Sequence, residues 1–185
     1  MSNEDLQYRW SSSNSKGIRL GAINRVDEIF NIRKSLKWKF PMNSVLIIGA
    51  QWGHEANRYR EQGIKKIVCL DMVKRFIDMC KERGFKTVNT PIEKWKPTEF
   101  DGVHASHVLE HCYDREKAVE NVKAAAQYWC YISVPIESEG TKDPAHLSPV
   151  KDKMDIIREF KPWKVIETEN SKTTFTGLFL NNEYL

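Results

Sequence analysis

The sequence predicts a doubly wound α/β fold, a mostly parallel sheet with helices on both faces and a C-terminal antiparallel hairpin. Three observations carry this. Short apolar runs such as Val45-Leu-Ile-Ile48 and Ile67-Val-Cys-Leu70 have the composition of central strands covered on both faces. Segments with apolar residues at helical spacing separate them. Near the C-terminus, two β-rich runs at 163–168 and 173–180 are joined by Glu169-Asn-Ser-Lys172, which leaves no room for a helix, so they pair as a hairpin.

Taken in order, residues 11–16 are a Ser/Asn-rich stretch, followed by Ile23, Val26 and Phe30 at helical spacing, and Pro41 ends the segment. Residues 1–40 therefore read as an arm and helix, with Tyr8, Trp10 and Trp38 making it a candidate lid, and 41–185 as the main domain. A strand at 44–50 leads to a helix from His54 to Gln62, closed by Gly63. A strand at 66–70 ends at Asp71 and leads to a helix carrying Val73, Phe76, Ile77 and Cys80, closed by Gly84. Further strands are expected at 87–88, 102–106 and 129–134, with Asp114 opening a helix that bears Ala118, Val122 and Ala125 on one face. Ser148 followed by Pro149 has the form of an N-cap and first helical position, and Val150, Met154 and Ile157 form that helix's apolar face. Strand and helix alternate, giving five βα units before the hairpin.

A chain of 185 residues, 41% hydrophobic and 29% charged, suits one globular domain. It contains no apolar run near the roughly 20 residues that span a bilayer. The first residues include Glu4 and Asp5 and lack an apolar core, unlike a signal peptide, so a cytoplasmic protein is expected. Cys69, Cys80, Cys112 and Cys130 form no CxxC pair, which argues against a zinc ribbon or a disulfide framework and for buried free thiols. The net charge of +4 is scattered along the chain, which permits an anionic substrate but does not favour nucleic acid. The oligomeric state leaves no trace in the sequence.

The segment Gly49-Ala50-Gln51-Trp52-Gly53 follows a strand and enters a helix, placing backbone N–H groups at the carboxyl end of the sheet. Open α/β sheets bind ligands there. Asp71 ends the next strand about 20 residues on, the position from which a carboxylate accepts hydrogen bonds from ribose hydroxyls. The plainer reading is that the glycines only permit a turn and Asp71 only caps the following helix.

The motifs Val45-Leu-Ile-Ile-Gly49 with Gly53, Val68-Cys-Leu-Asp71, Phe100-Asp-Gly-Val-His-Ala-Ser-His-Val-Leu-Glu-His111 and Ile132-Ser-Val-Pro135 resemble the Rossmann-like S-adenosylmethionine-dependent methyltransferases of the small-molecule type. The resemblance runs from about Ser44 to the C-terminal hairpin, and its most telling part is Ser106-His-Val-Leu-Glu-His111. It implies S-adenosylmethionine as cofactor, bound by Gly49, Ala50, Gln51, Gly53, Asp71, Met72, Ile92, Ser106 and His107. Two departures stand out. The family usually has a carboxylate two positions before its first glycine and a glycine between the outer two, where this chain has Ile47 and Gln51. Where the family often has an acidic residue facing the adenine, Thr90-Pro-Ile-Glu93 offers Ile92 or Glu93.

Methyl transfer is an in-line displacement, so the protein must align the acceptor and, for a hydroxyl, remove its proton. Histidine suits that task. His107, His111 and His146 are the candidates, with His146 and His111 taken as catalytic because Asp143-Pro-Ala-His-Leu147 resembles the His-Leu after the fifth strand of metabolite methyltransferases. The plain alternative is that Glu110-His111 merely starts and caps a helix, and that Glu137 and Glu139 are solvated charges. A helix at 107–111 would put His107 and His111 on one face and, with Glu110 and His146, could hold a divalent ion. No metal is expected, because this stretch resembles that of metal-free methyltransferases.

The expected function is methyl transfer to a small-molecule acceptor such as a sugar hydroxyl. The alternatives are a metal-assisted RNA ribose methyltransferase, whose motif would be His107-x-x-Glu-His111, and a non-catalytic module with a degenerate glycine loop. A nicotinamide dehydrogenase is disfavoured, since nothing like a hydride-transfer site follows Asp71.

Overall fold

Helix α1 (Ser15–Ser35) leads into β1 (Ser44–Ile48), α2 (His54–Glu61), β2 (Lys66–Asp71), α3 (Lys74–Glu82) and β3 (Lys86–Asn89). Then come β4 (Phe100–Ser106), α4 (Arg115–Ala125), β5 (Ala126–Pro135), α5 (Lys153–Glu159), β6 (Lys164–Asn170) and β7 (Thr174–Leu180). This computed structural model describes residues 15–37, 39–137, 143–170 and 173–185. The strands form one sheet in the order β3-β2-β1-β4-β5-β7-β6, with β7 antiparallel to both of its neighbours and the β1 to β5 pairs all parallel. The expected doubly wound sheet with a terminal hairpin is the fold observed.

Two apolar layers result from the alternation of side chains along each strand. Val45 and Ile47 of β1 pack with Val26 and Ile29 of α1 and Tyr59 of α2, whereas Leu46 and Ile48 pack with Val119 and Val122 of α4, Ile156 of α5 and Phe160 just after it. All five residues of β1 are buried, which explains the unbroken apolar run. Among the described residues no helix is long and apolar enough to cross a membrane. The four cysteines are free and buried.

On the α1 side, Tyr59 Oη lies 3.0 Å from His104 Nδ1, the His104 ring stacks on Tyr131, and Tyr131 donates to Glu28 at 2.7 Å. Burial holds the His104 pKa well below the ordinary histidine value, so the ring is a neutral structural group. Helix α1 thus packs on the sheet, and among the described residues none of its side chains lines the cavity described below. The proposed lid aromatics Tyr8, Trp10 and Trp38 lie outside the described residues.

Three sequence expectations change. Between β3 and β4 there is no α-helix, only a 3₁₀ turn, Ile92–Lys94, bounded by Pro91 and Pro97; Asn121 of α4 pins this turn, donating to Ile92 O at 2.8 Å. The last helix begins at Lys153, capped by Asp152, whose side chain accepts from Met154 N. Ser148 lies five residues before it and is tied to another segment, its hydroxyl donating to Cys112 O at 2.8 Å and its N–H to Glu110 O at 2.9 Å. Met154 is accordingly exposed while Ile156 is buried. Helix α1 ends at Ser35 rather than at Pro41, where Lys39 Nζ donates to the carbonyls of Arg33 and Lys34 and caps its C-terminus.

Candidate active site

The chain leaves β1 through Gly49 (φ 67°), Gln51 (φ 42°) and Gly53 (φ 69°), three left-handed residues in five. Gly49 N and Ala50 N both donate to Leu70 O, folding the loop back onto β2. A Cβ on Gly49 would sit 2.5 Å from Val108 Cγ2, so the position excludes any side chain. Asp71, almost fully buried at the end of β2, receives Gln51 N–H at 3.0 Å and Val73 N–H at 2.9 Å. It therefore holds the glycine loop and the start of α3 together. Asp71 does not cap that helix: Val73 is its N-cap, without a side-chain cap hydrogen bond, and Asp71 accepts from the Val73 amide itself.

A cavity of about 440 Å³ opens beside this loop, at the carboxyl ends of β1, β2, β4 and β5. Of the residues expected to bind cofactor, Gly49, Gln51, Asp71, Met72, Ile92 and His107 line it. Ala50, Gly53 and Ser106 do not. Ala50 is fully buried beneath the loop, a Cβ on Gly53 would face Cys80 Sγ at 3.1 Å, and Ser106 Oγ is buried without a hydrogen-bond partner. Glu93, an alternative partner for the adenine, accepts from Tyr113 N at 2.9 Å, which leaves Ile92 as the apolar surface there.

Both expected catalytic residues, His111 and His146, line the same cavity. His111 Nδ1 is 2.8 Å from Ala145 O. A carbonyl only accepts, so Nδ1 carries the proton and Nε2 keeps its lone pair in the neutral ring. His146 is held likewise, its Nδ1 against the Glu137 carboxylate, and the two imidazoles meet edge to face with centroids 4.9 Å apart. Glu137, expected to be a solvated charge, is largely buried by this contact. No periodic signal marked it, because its partner lies across a loop.

The stretch 107–111 is not a helix. His107 has φ 54°, Leu109–His111 forms a 3₁₀ turn, and Asp114 caps α4 by accepting from Lys117 N at 2.9 Å. Glu110 is fully buried between His107 Nδ1 at 3.4 Å and His111 Nε2 at 4.0 Å, and neither carboxylate oxygen has a hydrogen-bond partner. Asp71, Glu93, Glu110 and Asp143 all line the cavity, and no lysine or arginine does so among the described residues.

A family model for a methyltransferase domain matches residues 46–127, the stretch from β1 through α4 into β5 that builds the glycine loop, Asp71 and the turn at 107–111. Over those residues the chain is similar to the methyltransferase domain family. No curated protein sequence matches it. Among solved structures, magnesium protoporphyrin IX methyltransferase from Synechocystis PCC 6803 with bound SAM superposes with a TM-score of 0.69 at 11% identity over 98% of each chain. The N-terminal domain of EvdMO1, in the presence of SAH and D-fucose, gives 0.63 at 12% identity, covering 86% of this chain and 82% of that one. A SAM-dependent methyltransferase from Aquifex aeolicus gives 0.58 at 14% identity, covering 83% and 89%. At these identities the likeness is one of fold.

The two departures have a physical reading. Ile47, at the usual carboxylate position, is buried in the α1 and α2 layer and cannot reach the cavity. Gln51 faces the cavity with φ 42°, a conformation that costs a non-glycine residue about 1 kcal/mol. Gln51→Gly is therefore expected to stabilise the fold by about 1 kcal/mol, raising Tm by roughly 2–4 °C in calorimetry. If the amide also holds the cofactor's carboxylate, the same variant weakens binding by about 1 kcal/mol; if it only crowds the loop, binding tightens.

Proposed function

We propose that the protein transfers the methyl group of S-adenosylmethionine to the hydroxyl of a small metabolite, a sugar in the simplest case. The carrying observation is the Glu137–His146 pair, whose histidine lines the same cavity as the glycine loop. In this reading the cofactor's ribose hydroxyls bond Asp71, its adenine lies on Ile92 and its methionine part on Gly49 and Gln51. The acceptor oxygen attacks the methyl carbon in line with the departing sulfur, and His146 Nε2 takes the hydroxyl proton. Glu137 keeps Nδ1 protonated and stabilises the imidazolium.

The absence of lysine and arginine from the described lining argues against a phosphate-bearing acceptor such as nucleic acid, while the carboxylates suit the positive sulfonium. A sugar acceptor is consistent with the D-fucose present in the EvdMO1 crystals. Four free thiols agree with a reducing compartment, and we place the enzyme in the cytoplasm.

Calorimetric titration with S-adenosylmethionine, its demethylated product SAH and a nicotinamide dinucleotide tests the cofactor assignment. The first two should bind and the third should not. Asp71→Ala should weaken binding by about 1.5–3 kcal/mol. Because Asp71 also holds the loop and α3, this variant should melt earlier as well, whereas a lone ribose contact would leave Tm unchanged. Absence of S-adenosylmethionine binding at millimolar concentration would sink the proposal.

A further inference from the structure

A second, smaller cavity of about 250 Å³ lies on the α1 side of the sheet and shares no lining residue with the first. Its polar lining is Arg19 of α1, His54, Asn57, Arg58 and Glu61 of α2, and Arg83 just after α3. The four α2 residues have the spacing of one helix face, so three elements far apart in sequence build one concave surface.

The charges of this surface are not balanced. Arg58 is paired with Asp27 at 2.7 Å and with Glu61, the only carboxylate in the described lining, at 2.9 Å. The guanidinium groups of Arg19 and Arg83 have no hydrogen-bond or ion-pair partner among the described residues, whereas other arginines of the fold are paired, Arg25 with Glu55 and Arg115 with Glu159. Three arginines against Asp27 and Glu61 leave the group net positive, with the excess on the two unpaired side chains. Each presents a planar fork of N–H donors that matches the oxygens of an oxyanion. We infer that this cavity binds a phosphate-type oxyanion, either inorganic phosphate or the phosphoryl group of a small metabolite.

Two forks call for more oxygens than a single carboxylate carries, and a dianion answers both positive charges. Asn57 accepts from Arg60 through Oδ1 at 2.7 Å, which leaves its NH₂ group as a further donor. The cavity is smaller than the roughly 300 Å³ at which pockets for whole drug-sized ligands begin, as suits a compact tetrahedral group. His54 reports the same positive field: burial and then the charge of Arg83 hold its pKa below the ordinary histidine value, Arg19 adding to this and Glu55 opposing it. A bound oxyanion reverses that field and draws a proton onto the ring. An extended nucleic acid is served less well, since it is held by a basic stripe rather than by one recess.

The test is titration of the full chain with sodium phosphate and with glycerol 3-phosphate at constant ionic strength, followed by calorimetry and by the imidazole proton resonances of His54. Saturable binding in the millimolar range or tighter is expected, with a rise in the pH at which His54 titrates. Binding should be about tenfold weaker in each of Arg19→Gln and Arg83→Gln. Circular dichroism and thermal melting verify that the variants fold, and Arg19, exposed on α1, decides the case if Arg83→Gln does not. Either probe binding through these arginines supports the site; the tighter of the two identifies a metabolite's phosphoryl group or the free ion as its occupant. No saturable binding of either probe to the wild type, or an affinity within about twofold in both variants, overturns the inference. Binding of an oligoribonucleotide without binding of phosphate does so too, assigning the arginines to a nucleic-acid surface.

Discussion

His146→Ala is expected to lower kcat about 10²-fold or more, with a smaller change in KM and an unchanged affinity for SAH. Removing a positioned proton acceptor from a hydroxyl acceptor's path has this magnitude. The imidazole is held by Glu137 at Nδ1 and meets the His111 ring edge to face, with Nε2 3.9 Å from Asp143 Oδ2, so it does not sample rotamers freely. Glu137→Gln should produce a part of the same loss, about tenfold, because an amide no longer stabilises the imidazolium. Steady-state kinetics with the identified acceptor would measure both. Equal loss in kcat and in SAH affinity would instead place His146 beneath the cofactor as a structural residue.

The second large effect concerns the fold. Gly102→Ala should destabilise the protein by about 3 kcal/mol, lowering Tm by roughly 6–12 °C. A Cβ built there lies 1.9 Å from Trp129 Cε2, and Gly102 sits beside the register shift between β4 and β5. Trp129 cannot yield: it is fully buried, packs on Phe40 and donates from Nε1 to Pro41 O at 3.1 Å. Two large costs should be strongly non-additive here, so Trp129→Leu combined with Gly102→Ala should melt higher than the sum of the single variants predicts. Additive losses would mean that the strand shifts to make room.

Elements with strong local signals were legible in the chain. The apolar runs of β1, β2 and β5, and the Gly63 and Gly84 stops, lie where expected, because burial on both faces leaves a composition that no solvated segment shares. Ser148-Pro149 misled for a corresponding reason: an N-cap motif acts only where the following residues turn into a helix, and bonds to Cys112 and Glu110, distant in sequence, hold Ser148 against another segment five residues before the helix begins.

The same division holds at the site. The sequence alone determined the doubly wound sheet, the glycine loop and the approach of Asp71 to it, since each follows from local periodicity and the rule that open sheets bind at the carboxyl ends of their strands. Only the tertiary structure decided that Glu137 holds His146, that Ala145 sets the His111 tautomer and that Glu110 is buried without a donor. These relations join residues on separate loops, and loop side chains meet through packing and hydrogen bonds that no sequence period encodes.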